Sequence, residues 1–415
     1  MKEKLKQLDE SVRAEFPLIR ESDIAYLDNG ATTQKPESVL RAVDEYYRRQ
    51  NANPLRGIYD LSMEATEACQ KARQAVADFI GAEDACEIIF TRNASESMNL
   101  AAYSYGMSAL QEGDEIIVST AEHHSNFLPW KQAAATKGAK VVYFDPEEDG
   151  SFDLDKLKGL ITEKTKILAI TQISNVLGRI NDIKSMTELI HSVGGVAVID
   201  GAQAVAHIRV NVRELGADFY AFSGHKMYAP MGIGVLYGRK ELLEKMPPFL
   251  YGGEMIESVT KEKTVFAELP YKFEAGTVDA GGAIGLHAAI DFINQYGFEQ
   301  IVARENALTA RIVNAMKEMP YIDILGDKKA CNHHGIVAFR VDGVHPHDVA
   351  QVFADEGVCV RAGHHCAEPL HRYLGELAGI RVHSSTRVSV GIYNTEAEID
   401  RFLDVLSQIR GKMGF

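Results

Sequence analysis

A lysine at the mouth of a buried strand needs a reason to be there. Residues 217–230 read ADFYAFSGHKMYAP, an apolar, aromatic run over 219–222 that has the pattern of a buried strand and breaks abruptly into Ser223, Gly224, His225 and Lys226. A partly desolvated amine loses its proton more readily and condenses with a carbonyl, which makes Lys226 a candidate for covalent catalysis through a Schiff base. On this stretch alone, a solvent-facing lysine just past a strand end would serve equally well. Upstream, GGVAVIDGAQAVAH ends a second buried strand in Asp200, followed by Gly201, Ala202 and Gln203. Residues at the carboxyl ends of neighbouring strands in an open α/β sheet converge, so this carboxylate and the amine should meet. A carboxylate that keeps a pyridine nitrogen protonated, beside an amine that holds an aldehyde, is the pair that pyridoxal 5'-phosphate requires.

The SGHK segment with an upstream DGAQ resembles the aspartate-aminotransferase-like superfamily of pyridoxal-phosphate enzymes, fold type I. Neighbouring stretches can complete such a site. EIIF at 87–90 reads as a short strand, and TRNASESMNLAAYSY turns it into a helix that starts near Ala94 and Ser95. Free N–H groups and the positive end of the helix suit a phosphate there, although Ser95 and Glu96 could simply cap the helix. EIIVST closes on His123 and KILAITQIS closes on Asn175. An imidazole at that edge can stack on a ring and relay protons, or it can be a satisfied structural residue; Asn175 can donate to a phenolic oxygen or a carboxylate. A later loop, KFEAGTVDAGG, offers Thr277 and glycine-exposed amides to an anion.

Alternation of strand and helix predicts an α/β fold with a mostly parallel sheet and right-handed crossovers. Together with the fold-type-I resemblance it implies a large domain, 22–293, with a seven-stranded sheet flanked by helices. A long connecting helix near 283–295 marks the boundary, and residues 1–21 and 294–415 are expected to form a small α+β domain. Residues 1–20 read as an amphipathic helix ending near Pro17, and residues 36–49 as another. With 58 acidic against 44 basic residues in 415, a net charge of -14, the chain is not expected to bind nucleic acid or anionic membranes. It shows no secretory apolar core and no run long enough to span a bilayer, so the expected location is cytoplasmic. Five cysteines without a framework spacing fit a reducing compartment.

One cysteine stands apart. In RAGHHCAEPLH, Cys366 follows His364 and His365, close to Arg361 and to a helix start, all of which favour the reactive thiolate. A buried structural thiol is the commoner use of cysteine, and the polar surroundings count against it. Zinc binding by these residues with Cys331, His333 and His334 lacks the usual ligand spacings. RAGHHCA joined to SGHK, with YLDNGATTQKP, RGIYDLS, STAEHHSN, QISNVLG, GGEMI, FEAGT and YNT in order, resembles the type II, SufS-like cysteine desulfurases of the SUF system over nearly the whole chain.

That resemblance implies a homodimer that takes sulfur from L-cysteine, releases L-alanine and leaves a persulfide on Cys366. The persulfide would pass to an acceptor protein of the SufE or SufU type for iron-sulfur cluster assembly; selenocysteine lysis and transamination are neighbouring activities. Lys226 would hold the cofactor, Asp200 its ring nitrogen, His123 would stack on the ring and Gln203 would reach the phenolic oxygen. Ala94 N–H, Ser95, Ser223 and His225 would hold phosphate, with Thr277 lent by the second subunit. Arg387 would bind the substrate carboxylate beside Asn175, with Arg361 and His364 nearby. The chain departs from the family pattern with Asn93-Ala94 in place of Gly-Thr, Leu55 in place of a histidine, Val278-Asp279 in place of Pro-Asn, and a longer segment between Cys366 and Arg387.

Overall fold

The computed structural model describes residues 11–379 and 382–414. Seven strands form the main sheet: β1 Ile88–Thr91, β2 Glu115–Ser119, β3 Lys140–Phe144, β4 Thr165–Thr171, β5 Val196–Asp200, β6 Phe219–Ser223 and β7 Gly234–Gly238. Their order across the sheet is β1-β7-β6-β5-β4-β2-β3. Neighbours from β6 to β3 pair in parallel, while β7 pairs antiparallel with both β6 and β1. The expected mostly parallel, seven-stranded α/β sheet is therefore present.

The sequence of the central strands explains why both faces are covered. All five residues of β5, VAVID, are buried, and so are all five of β6, FYAFS. Alternate side chains feed two separate cores: Ala197, Ile199, Tyr220 and Phe222 on one face, and Val196, Val198, Phe219 and Ala221 on the other. Helices α1 Glu37–Glu45, α2 Asp60–Ile80 and α4 Ala280–Tyr296 cover the first face through Val39, Val76 and Ile290; α3 Ala94–Leu100 helps to cover the second through Met98. Two glycines are obligatory at close approaches. A Cβ on Gly201 would lie 2.0 Å from the Tyr220 ring, and one on Gly234 would lie 2.5 Å from Cα of Asn93, the residue that caps α3.

A second, four-stranded sheet follows, built from β8 Ile322–Ile324, β9 Ile336–Val341, β10 Arg361–Gly363 and β11 Ser385–Ser389 in the order β8-β9-β11-β10, all antiparallel. Val337, Phe339 and Val388 pack there against Leu308 and Ile312 of α5 (Phe298–Lys317) and Phe402 of α7 (Glu396–Lys412). The long connecting helix expected near 283–295 is α4.

The first helix stops where the sequence predicts: residues 11–14 are helical and the helix ends just before Pro17. Pro17 then opens a second, short helix, Pro17–Glu21, that the sequence did not single out; a proline fits the first helical turn because its missing N–H has no intrahelical partner there. Val12, Phe16 and Ile19 pack into the large sheet's core, while Ala25 and Leu27 join the small sheet's core. The chain thus crosses between the two cores between Ile19 and Ala25. Residues 1–10 of the expected first helix lie outside the described residues. The helix expected over 36–49 ends as α-helix at Glu45 and continues as a π-turn over Tyr46–Gln50.

Candidate active site

Register places the strand ends side by side. Thr171 pairs with Asp200, and Asp200 with Ala221, so β4, β5 and β6 finish at one edge. The segments that leave β2, β4 and β6 carry His123, Asn175 and Lys226 into a cleft of about 520 Å³. Asp200, Ala94, Ser95, Ser223 and His225 line the same cleft, as do Arg361, Cys366 and Arg387, which belong to the small sheet or its loops. Three expected site residues do not line it. Gln203 is buried and donates to the Gly30 carbonyl at 2.8 Å; His364 packs its ring 6.2 Å from that of His371; Thr277 is exposed on an adjoining cavity that shares Arg92 and Gly232 with the cleft.

Burial sets the electrostatics. Desolvation lowers the Lys226 amine from its ordinary value, with Arg387 and Arg361 adding repulsion and Asp200 and Cys366 opposing it. Asp200 is raised by desolvation, against the hydrogen bond its Oδ1 accepts from Ala202 N–H at 2.9 Å and the attraction of Lys226. A buried carboxylate with a raised pKa is ready to pair with a cation brought against it. Desolvation, helped by the Lys226 charge, lowers His123 to about 3. Its Nδ1 accepts from Ser125 N–H at 3.1 Å, so in the neutral ring Nε2 carries the hydrogen.

At the start of α3, Asn93 accepts from Glu96 N–H, and Ala94 N–H donates to Ser223 Oγ at 2.8 Å. Asn93, one of the departures from the family pattern, thus serves as the helix cap. Ser95 Oγ lies 2.5 Å from Ser125 Oγ. His225 Nδ1 and Arg387 Nε are buried in the cleft wall and have no hydrogen-bond partner among the described residues. Buried polar atoms without partners are uncommon and point to a group that the cleft is made to receive. Hydroxyls at a helix start, a lysine and an unpartnered arginine nitrogen as donors, with a buried aspartate as acceptor, form a set that fits pyridoxal phosphate and an amino-acid carboxylate.

The thiol side is built differently. Cys366 is exposed, and both His365 (φ 50°) and Cys366 (φ 56°) occupy the left-handed region that non-glycine residues avoid. Their carbonyls are caught from the large sheet: Asn175 Nδ2 donates to His365 O at 2.6 Å, and His124 N–H donates to Cys366 O at 2.7 Å. The long segment after Cys366 begins as a helix, α6 Glu368–Leu377. Among the described residues, no group of three or more His, Cys, Asp or Glu side chains is placed to hold a metal ion. His333 directs its ring nitrogens at the Asp327 and Ile336 carbonyls.

Sequence reading missed several contributors. Asp28 pairs with Arg361 at 2.9 Å and with Arg387 at 3.3 Å, holding the two guanidiniums at one wall. Thr33 N–H, the hydroxyls of Thr32 and Thr33, and Lys35 Nζ all donate to the His225 carbonyl, at 3.0 to 3.2 Å, and so fix the peptide just before Lys226. Glu122, fully buried below the cleft, is raised to about 8 by desolvation; it accepts from Thr171 N–H and Asn126 Nδ2. The cluster of Asp28, Thr32 and Thr33 in one turn was visible as a polar loop, but nothing local named its partners.

The model of the class-V aminotransferase family matches residues 25–402. A probable cysteine desulfurase from Halalkalibacterium halodurans is 44% identical over 96% of this chain and 97% of that protein. One from Streptomyces coelicolor is 43% identical over 98% of each. The chain belongs to the cysteine desulfurase branch of the class-V aminotransferases. Among solved structures of the family, the apo cysteine desulfurase of Thermococcus onnurineus superposes with a TM-score of 0.91 at 40% identity, covering 96% of this chain and 97% of that one. The S-sulfonic acid form of the Escherichia coli cysteine desulfurase CsdA gives 0.88 at 37% identity, covering 96% and 98%.

Proposed function

We propose that this chain is a pyridoxal-phosphate-dependent cysteine desulfurase that leaves the sulfur of L-cysteine as a persulfide on Cys366. The observation that carries this reading is that an exposed thiol and a desolvated amine, Cys366 and Lys226, line one cleft from opposite sheets. Pyridoxal phosphate, when bound, supplies an aldehyde for amines and a ring that withdraws electrons from the substrate Cα. Lys226 Nζ, neutral more readily because it is desolvated, would hold that aldehyde and, once freed, take the proton from the substrate Cα. Asp200 would pair with the ring nitrogen, His123 would stack on the ring with Nε2–H as donor, and Gln203 would reach the phenolic oxygen by giving up Gly30. Ser95, Ser223, His225 and the Ala94 amide would hold the phosphate.

Arg387, with Asn175, Arg361 and His364 around it, would take the substrate carboxylate. Cys366 Sγ would then attack the substrate sulfur: an S–S bond forms as the substrate C–S bond breaks, and a proton replaces sulfur on Cβ to give L-alanine. We further propose a homodimer in which Thr277 completes the partner's phosphate site, and a division into domains 22–293 and 294–415 with residues 1–21. The SufS-like motifs support a SUF-type role in iron-sulfur assembly, in the cytoplasm, with a SufE- or SufU-type acceptor. Among the described residues no helix is long and apolar enough to cross a membrane.

The test is alanine formation from L-cysteine by the purified protein with pyridoxal phosphate and a reductant, with persulfide counted on Cys366. Cys366→Ala is expected to lose both. Alanine formation that persists in Cys366→Ala would instead make the chain a selenocysteine-type lyase in which the thiol is dispensable. Amino-group transfer from L-cysteine to a keto acid with sulfur retained on the substrate would make it a transaminase, and no alanine from the wild type would reject the desulfurase.

A further inference from the structure

Behind the thiol loop, three buried side chains form a hydrogen-bonded line whose proton positions can be worked out. His371, in the first turns of α6, has its Nδ1 3.0 Å from the Ala367 carbonyl, which can only accept, so Nδ1 carries a hydrogen. Desolvation first, with His364 adding repulsion against the Ala367 bond and Glu368, lowers this ring to about 4. Neutral at physiological pH, it has an acceptor at Nε2, and Ser385 Oγ lies 2.9 Å away and must donate to it. Ser385 has one hydrogen. Its other contact, His365 Nε2 at 3.0 Å, is therefore a bond in which the histidine donates. His365 is thus held as the Nε2–H tautomer, and its Nδ1 keeps a lone pair that has no partner among the described residues. Arg387 is the charge acting most strongly on that ring, ahead of His371 and Arg361.

We propose that His371 and Ser385 are positioning residues, which lock the His365 tautomer and, through it, fix both the left-handed loop that carries Cys366 and the setting of Arg387. A lone pair in the field of a guanidinium is favourable, whereas an N–H there would oppose it. Ser385 lies on β11 two residues before Arg387, and His371 lies on α6, so the line joins the helix that follows Cys366 to the strand that carries Arg387. The proposal rests on the desulfurase reading for its kinetic consequence but not for its structural one.

The experiment uses the holoenzyme. In His371→Leu the Ser385 hydroxyl is released and can donate to His365 Nε2, so nitrogen NMR of histidine-labelled protein is expected to show His365 gaining hydrogen on Nδ1. Alkylation of Cys366 by iodoacetamide should change by roughly threefold or more, and KM for L-cysteine should rise about fivefold with kcat changed less. His371→Gln, whose amide oxygen can accept from Ser385, should restore all three readouts. Ser385→Ala should reproduce the alkylation and KM defects, and it stands in for the leucine variant if that protein folds poorly. An unchanged His365 tautomer in His371→Leu, or unchanged alkylation and KM in both His371→Leu and Ser385→Ala, would overturn the proposal. Loss of all alanine formation in the wild type, with the tautomer change intact, would reject the desulfurase reading and leave the line standing.

Discussion

The amine and the thiol that line the cleft are mounted in opposite ways. Lys226 follows a strand of five buried residues, and the peptide before it is gripped by four donors on one carbonyl. Cys366 is exposed on two left-handed residues, tethered by its backbone carbonyl with its side chain left free. The amine, which in the proposed reaction meets a fixed ring, is built on the rigid edge of a sheet. The thiol, which in that proposal hands its sulfur outward, is built on a strained loop held from behind.

Four outcomes would break or sharpen that contrast. The largest is Lys226→Ala, expected to lower alanine formation by at least about a thousandfold while circular dichroism and the urea midpoint stay near wild type, because the lesion removes the base and no core packing. Asp200→Asn should bind cofactor yet lose roughly a hundredfold in kcat, since an amide cannot hold a cation on the ring nitrogen; a loss of only a few-fold would remove Asp200 from that role.

The third concerns the scaffold. Arg73 and Glu274 form a buried two-bond pair at 2.7 and 2.8 Å, and Glu274 also accepts from Phe90 N–H of β1. Glu274→Gln leaves the buried guanidinium without its counter-charge and should lower unfolding free energy by about 3 kcal/mol, read from urea curves. The smallest is pH dependence. His225 and His371 are lowered to about 4 and His123 to about 3, each mainly by burial. Between about pH 4 and 6.5 the unfolded chain therefore binds more protons, so stability should rise with pH through that window and fall on acidification. Substituting His371 by Gln or His123 by Asn should each flatten the slope; equal slopes in the wild type and both variants would show that these rings are not buried neutral.

What could be read from the chain and what could not follow from sequence distance. The apolar runs of β5 and β6 end in chemistry-bearing residues within three positions, so Asp200 and Lys226 announced both the sheet and the cleft. Asp28 did not: its partners Arg361 and Arg387 lie 333 and 359 residues away. Gln203 was legible as a polar residue beside Asp200, yet its hydrogen bond to Gly30 depends on a turn 173 residues earlier. Pro17 marked the end of the first helix but not the start of the next, because a proline fits a first helical turn as readily as it follows a last one, and the short second helix is packed through Phe16 and Ile19 in the large core.

The two carbonyl tethers of the thiol loop have a mechanical consequence. His124 and Asn175 follow strands of the large sheet, whereas the loop they hold is rooted in β10 of the small one. Cys366 is therefore the middle of a short bridge with an abutment on each sheet. Any sliding of one sheet past the other must be absorbed by two residues whose backbone has little room to rotate, or else the tethers let go. The sulfur atom is a gauge of the spacing between the sheets: whatever presses on that spacing from outside is felt at Sγ.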